Sequence, residues 1–423
     1  MRFLRTTLEN GTRIITVPML GNPTVTVMIG VGTGAFHEKP EQSGISHFLE
    51  HSCFKGTVRR PTARVITTDL DSIGALYNAF TSKETTGYWA KADVKHFAKI
   101  ADIAADIFLN STFPEKEVEK EKGVVIGEID MYADDPQEKI GEALLRHMYE
   151  NEPASRDVLG TKATVRAITR QDLVDYRAAQ YTGPNTVVTI AGGVSEEEML
   201  SWAKETFSGL SSNVPRPELP TRSREQTAPE TVFVDKDTDQ AHLILAWRTF
   251  ERSDPDRYVV GMIKNLLRSG MSSRLFIKLR DEMGSGYYVS ASHATHTTFG
   301  FFAVSTGTMH ERVPEIVQAI LDETERLKAE PVPKEELDKV KEFMRAHLLM
   351  SLETSDDVAG FCSDQEIHEG RIFYPEEFDA IYSKIAAEDI LRVANKVFDR
   401  SKLTVAAIGK GIDKDAVRSI ITA

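Results

Sequence analysis

The chain has 423 residues, 41% hydrophobic and 27% charged, which is long enough for two or more domains and apolar enough to bury a sizeable core. Its net charge of −13 argues against nucleic acid or an anionic membrane as the main partner and is compatible with basic ligands. No run approaches the roughly 18 apolar residues of a spanning helix, "MRFLRTTLENGTRI" lacks the apolar segment of a signal peptide, and two cysteines cannot build a disulfide framework, so a cytoplasmic location is expected.

In chain order, "TVTVMIGVGT" (24–33) reads as a strand. "SGISHFLEHSCFKGT" (43–57) reads as a mostly apolar helix that carries two histidines and a glutamate within five positions. Residues four apart share a helix face, so His47 and His51 can offer two imidazoles to one zinc ion, with Glu50 on the same side. Glu50 is then a proton acceptor for a metal-activated water, not a ligand. Cys53 turns away from that face and is expected to be a buried thiol. Zinc requires a third protein ligand, a carboxylate, histidine or cysteine on another element.

A helical pattern, "VKHFAKIADIAADIFLN" (94–110), precedes "FPEKEVEKEKGVVIGEIDMYADDP" (113–136), which predicts a second long helix opening after Pro114 and stopping at Asp-Asp-Pro. Its first half alternates charge, whereas "GVVIGEI" is apolar around a single acid, Glu128. A lone glutamate on an apolar face is costly unless paired or metal-bound, which makes Glu128 the strongest candidate for the third ligand. Glu121, two turns earlier on the same face, is placed to hydrogen-bond a ligating histidine.

Further on, "NTVVTIAGGVSEEEM" (185–199) recurs in outline as "KLTVAAIGKGIDKDAV" (402–417): a β-branched run, a glycine turn, an acidic helix start. Aligning Gly192 with Gly409 sets an offset of 217, about half the chain, and predicts a duplicated domain. The Pro- and Ser-rich stretch between the halves, 208–230, carries no apolar period and reads as a linker. The expected boundaries are 1–212, a linker at 213–228, and 229–423. The second half adds strand patterns in "HLILAWRTF" (242–250) and "GFFAVSTGT" (300–308) and a helix in "RVPEIVQAILDETERLKAE" (312–330), so the fold class is α+β. At the same offset, His47, Glu50 and His51 fall on Lys264, Leu267 and Arg268. A fold that accepts Lys, Leu and Arg there does not need the polar trio for packing. "SASHATHTTFG" (290–300) reads as a strand; its His293 and His296, and His310, are expected at the surface or in the core and not as a second metal site.

The segments "HFLEHSCFKGT", "NAFTSKETTGYWAK" (78–91), "LNSTFPEKEVEKEKGVVIGEI", "YTGPNTVVTIAGGVS" and "SGMSSRLFIKLRDEMGSGYYVS" together closely resemble the pitrilysin/insulinase family of zinc metallopeptidases, in its half-length branch that includes mitochondrial processing peptidase and its bacterial relatives. That family carries an inverted His-x-x-Glu-His motif and a distal glutamate, and 76 residues separate His51 from Glu128 here. The resemblance implies one zinc per chain on His47, His51 and Glu128, Glu50 as general base and Glu121 as its helper acid. It also implies that Arg280 and Tyr287, seven apart, donate hydrogen bonds to the substrate carbonyl from the second domain, and that Asn78, Ala79, Phe80 and Thr81 form an edge strand on which an extended peptide pairs by its backbone. The implied architecture is two similar α/β-sandwich domains closing as a clamshell around a central chamber. The implied activity is that of a zinc-dependent endopeptidase or oligopeptidase acting on extended peptides, alone, as a homodimer or with a related subunit. The alternative is a non-catalytic peptide-binding or structural subunit of the same fold.

Overall fold

The computed structural model describes residues 2–423. Among the described residues eleven strands form two sheets. The first sheet contains β1 (Leu4–Thr7), β2 (Arg13–Pro18), β3 (Thr24–Val31), β4 (Leu76–Thr81), β5 (Thr86–Asp93) and β6 (Thr186–Gly192), in the order β1, β2, β6, β3, β5, β4. The second contains β7 (Glu230–Val234), β8 (Ala241–Thr249), β9 (Val289–Thr295), β10 (Gly300–Thr308) and β11 (Leu403–Ile408), in the order β7, β11, β8, β10, β9. Apart from β1 the two orders are the same, and so are the pairings. The β2·β6 and β7·β11 pairs are parallel and every other neighbouring pair is antiparallel. The expected duplication is thus present as topology. Helices used below are α1 (Ile45–Cys53), α2 (Glu115–Asp134), α3 (Pro136–Met148), α4 (Asp256–Arg268), α5 (Lys334–Met350) and α6 (Ser355–Glu369).

Each sheet belongs to a compact unit, but the units are not the contiguous halves expected at 1–212 and 229–423. Unit 1 takes the residues through Asp130, Arg156–Leu219 and also Leu349–Tyr374; unit 2 takes Met131–Ser155, Pro220–Leu348 and Pro375–Ala423. The physical reason lies in the strands. Along β3 every residue from Val25 to Val31 is buried, so both faces of the sheet need cover. One face packs on α1 and the helix Phe97–Asn110. The other is covered by α6, whose Val358, Ala359 and Cys362 pack on Ile15, Val17, Met28, Val187 and Ala191. The fit is close: a Cβ at Gly30 would lie 2.7 Å from Ser363 Oγ and 2.8 Å from Ile367 Cδ1. Polar pairs fix α6 in place, with the Arg5 guanidinium forked onto buried Glu366 at 2.9 and 2.8 Å and Ser355 Oγ on Thr26 Oγ1 at 2.8 Å. In unit 2, α3 does the same for β7, β8 and β11, burying Ile140, Leu144 and Met148, with His147 Nε2 2.7 Å from Glu230 Oε2.

Two local expectations hold, each with an addition. α2 stops at Asp134, within the expected Asp-Asp-Pro, and Asp135 then caps the next helix through Gln137 N while Pro136 opens α3, because proline is preorganised for a first helical position. The stretch 213–228 has no helix or strand, as expected of a linker, yet it is held in place. Ala154 N donates to Thr221 Oγ1 at 3.1 Å, and Gln226 Nε2 donates to the Leu403 carbonyl at 2.8 Å. Among the histidines, only His293 lies within β9; His296 follows the strand and His310 starts a single 3₁₀ turn.

Candidate metal centre

α1 follows β3 after two short 3₁₀ turns and starts at Gly44, whose φ of 92° lies in the left-handed region. Its first turn has no side-chain N-cap from Gly44; the fully buried Glu38 caps it instead. One carboxylate oxygen accepts from Gly44 N at 2.7 Å and the other from Ser46 N at 2.8 Å. Two orphan N–H groups at the start of the helix are thereby satisfied. Ser46 Oγ lies 2.8 Å from the buried Tyr176 hydroxyl, which locks the same turn from the other side. The four-residue spacing then places His47 and His51 on one face, with ring centroids 4.5 Å apart.

α2 presents Val118, Glu121 and Val125 inward, while Val124 is exposed, so only part of the apolar run faces the core. Glu128 is on this inward stripe. Its Oε2 lies 3.7 Å from Nε2 of both His47 and His51. The three ligand atoms all fall within 4.8 Å of one another. Two bonds of about 2.1 Å at a tetrahedral angle put ligand atoms roughly 3.4 Å apart, so the set fits a small cation with little adjustment. A second observation agrees. Glu128 Oε2 is buried and accepts no hydrogen bond, an expensive state for a carboxylate that a cation relieves.

The surrounding groups fix the histidines for that purpose. Glu121 Oε1 lies 2.9 Å from His51 Nδ1, and its other oxygen is 2.8 Å from Lys55 Nζ. A carboxylate only accepts, so the proton sits on Nδ1 and Nε2 is left with its lone pair toward Glu128. Burial, together with the nearby His51, pushes His47 down to about 3, so its imidazole is neutral at ordinary pH. Burial also pulls on His51, but the Glu121 hydrogen bond and the charges of Glu50, Glu121 and Glu128 outweigh it and shift the ring upward. The field that favours a proton there equally favours a metal cation.

Glu50 is almost fully buried and stands apart from the three-atom cluster. Burial raises its pKa, tempered by the Thr81 hydroxyl, which donates to Oε2 at 2.6 Å. A raised carboxyl pKa makes the ionised form a better proton acceptor. Thr81 ends β4, the outermost strand of the first sheet, so one backbone edge of β4 has no strand partner. Asn78 and Phe80 are exposed on this strand, Ala79 and Thr81 half-buried, and the Phe80 ring lies over Gly87 of β5, where a Cβ would approach to 2.5 Å. Five expected residues, His47, Glu50, His51, Glu121 and Glu128, are therefore gathered in one place, and the expected edge strand reaches it through Thr81.

Arg280 and Tyr287 belong to unit 2. Arg280 lies in a π-helical turn, Ile277–Glu282, and its guanidinium donates to the carbonyls of Gly286 and Tyr287 at 3.2 and 2.9 Å. Arg280 thus holds the Tyr287 backbone, while Tyr287 itself stays 61% exposed. The residue that sequence reasoning missed is Glu38: it lies in a loop with no period, and only the folded chain brings it to the helix start.

Glu38 also gives a pH prediction. Burial raises its carboxyl from 4.5 to about 7, against the two backbone hydrogen bonds, which lower it. Between those values the fold holds a proton that the unfolded chain has lost, so this group makes stability fall as pH rises through the window, by about 2 kcal/mol from pH 5 to 8. Urea unfolding of the native chain and Glu38→Gln across this range should show the native advantage shrinking by that amount. A constant difference would mean that Glu38 does not titrate there.

Two sheets of one topology define a duplicated-domain protein in which, among the described residues, a His-His-Glu cluster that could hold a metal ion occurs in one of the two units. Family models agree with that division: residues 13–162 match the Insulinase (Peptidase family M16) model and residues 167–344 the Peptidase M16 inactive domain. The chain is 34% identical to the uncharacterized zinc protease YmxG of Bacillus subtilis over 92% of its own length and 93% of that protein's. It is 31% identical to an uncharacterized zinc protease of Rickettsia felis, over 95% and 96%. Among solved structures, a protease from Helicobacter pylori superposes with a TM-score of 0.89 at 22% identity, covering 96% of this chain and 99% of that one. A Pseudomonas fluorescens structure described as a peptidase M16 inactive domain gives 0.88 at 18% identity, covering 97% and 99%. At such identities these two likenesses establish the fold. The chain belongs to the pitrilysin/insulinase (M16) peptidase family, in its half-length form. Among the described residues no helix is long and apolar enough to cross a membrane.

Proposed function

We propose that the chain is a zinc-dependent endopeptidase that hydrolyses extended peptides, with one zinc per chain on His47, His51 and Glu128. The observation that carries this reading is the unbonded, buried Glu128 Oε2 facing two histidine Nε2 atoms, with Glu50 held beside them by Thr81 at the end of an open edge strand. Zinc held there supplies Lewis acidity for the attacking water and the scissile carbonyl.

The protein's own groups do the rest. A peptide adding to β4 through its backbone is presented beside Glu50 with little regard to its side chains. Glu50 Oε2 takes the proton of the attacking water and later delivers it to the leaving amine, while Thr81 keeps the carboxylate aimed. Glu121 holds the His51 ring and its tautomer. Arg280 and Tyr287 donate hydrogen bonds to the substrate carbonyl oxygen as charge develops on it. Both the metal set and this pair are in one chain, so it acts alone or as a homodimer. Cys53 and Cys362 are buried free thiols, in keeping with a reducing cytoplasm.

The test is metal content and cleavage of a quenched basic peptide of about a dozen residues, before and after chelation. One zinc per chain, with cleavage that vanishes on chelation and returns with zinc, is the expected result. Stoichiometric zinc without cleavage would favour a peptide-binding subunit instead.

A further inference from the structure

Within the first unit a cavity of about 530 Å³ lies between the helix Arg170–Gln180, the end of the helix Phe97–Asn110 and the turn that leads into α2. Much of its wall is apolar: Phe108, which stacks on Tyr181 with ring centroids 5.2 Å apart, together with Phe113, Val174 and Leu210. The charged residues in its lining are Arg170 and Arg177, two turns apart on one helix face, and among the described residues no acid lines it. Arg170 and Ala178 are exposed, so the cavity is open to solvent.

Phe113 joins the two arginines. Arg170 donates from Nε to the Phe113 carbonyl at 2.8 Å and from Nη2 to the Thr112 carbonyl at 3.0 Å. The Arg177 guanidinium stands 5.8 Å from the centre of the Phe113 ring, and its Nη2 donates to the carbonyls of Phe108, at 2.8 Å, and of Leu109. Phe113 itself has a φ of 48°, in the left-handed region, where a bulky aromatic residue is strained. Strain of this kind persists where neighbouring groups impose it, and it gathers at ligand clamps. The carbonyls hold both guanidiniums in place, but they carry no net charge to offset them. Among the described residues neither arginine has an acidic partner, and Nη1 of each makes no hydrogen bond. Two positioned guanidiniums with donors to spare, beside aromatic and aliphatic walls, suit a ligand with one anionic end and an apolar body.

We propose that this cavity binds a carboxylate carried on an apolar body, such as a free C-terminal aromatic residue. Arg170 and Arg177 take the carboxylate, and Phe108, Phe113 and Val174 surround the body. The site is independent of the peptidase reading, because none of its residues takes part in the metal centre.

The test is calorimetric titration of the full chain at low salt with N-acetyl-phenylalanine, its amide and acetate. The expected result is saturable binding of one N-acetyl-phenylalanine per chain, with the amide and acetate each weaker by at least about tenfold. Two substitutions at exposed positions spare the fold. Arg170→Gln should weaken binding several-fold by removing one charge, and Ala178→Phe should abolish it by filling the cavity while both guanidiniums stay. Absence of saturable binding, or an amide that binds as tightly as the acid, would overturn the proposal. Unchanged binding in Ala178→Phe would put the ligand elsewhere on the chain and overturn it equally.

Discussion

Glu50→Gln should lower peptide cleavage by about 10²–10⁴-fold while leaving the metal content of the protein unchanged. The substitution keeps the length of the side chain and an oxygen that can accept from the Thr81 hydroxyl, now 2.6 Å from Oε2. It removes only the negative charge and the basicity. Glu50 is outside the three-atom cluster of His47, His51 and Glu128, so that cluster is untouched. Zinc stoichiometry and turnover, measured on one preparation, separate the two roles. Turnover comparable to that of the native chain would sink the assignment of Glu50 as proton acceptor, and loss of metal with loss of turnover would make it a ligand. Peptide affinity should survive, because the open edge of β4 is backbone.

How much of this was legible before folding depends on the range of the interaction. The His47–Glu50–His51 trio and the Glu121–Glu128 pair are each set by helical periodicity over seven residues or fewer, and their spacing predicts a shared face that the structure bears out. That the two helices meet was legible only through the cost of a lone carboxylate on an apolar stripe. The duplication was legible because its markers, β-branched runs ending in glycine turns, are local. The exchanged cover of the sheets was not. The pattern of α6 says that a face is apolar, not which sheet that face will meet, and Val358, Ala359 and Cys362 turn out to lie on the first. The strand gave no help either: "TVTVMIGV" alternates Thr and Val at its start, yet every residue from Val25 on is buried. Threonine, with a hydroxyl that can bond to a helix placed above it, is compatible with either state, and Thr26 does so through Ser355. Glu38 was illegible for a similar reason: the donors it satisfies, Gly44 N and Ser46 N, declare their need only once α1 exists.

Glu128→Gln should reduce zinc affinity by about two orders of magnitude or more, so that zinc in the dialysed protein falls well below one per chain. The amide is neutral and nearly isosteric; what it withdraws is the charge opposite two imidazole nitrogens, each 3.7 Å from Oε2. Two histidines alone leave zinc short of the three protein ligands it usually takes in a catalytic site. The loss has a thermodynamic signature apart from activity, since a metal that binds only the fold stabilises it by RT ln(1 + [L]/Kd). At a zinc concentration saturating for the native chain, a hundredfold weaker site gives up about 3 kcal/mol of that stabilisation. Thermal denaturation with and without added zinc should therefore show a large shift for the native chain and a small one for the variant. Undiminished zinc in Glu128→Gln would move the third ligand elsewhere. Glu121 is the neighbouring acid, yet it is poorly placed to substitute: one of its oxygens already holds His51 Nδ1 at 2.9 Å and the other Lys55 Nζ at 2.8 Å, so ligating through either would break the tether that orients His51.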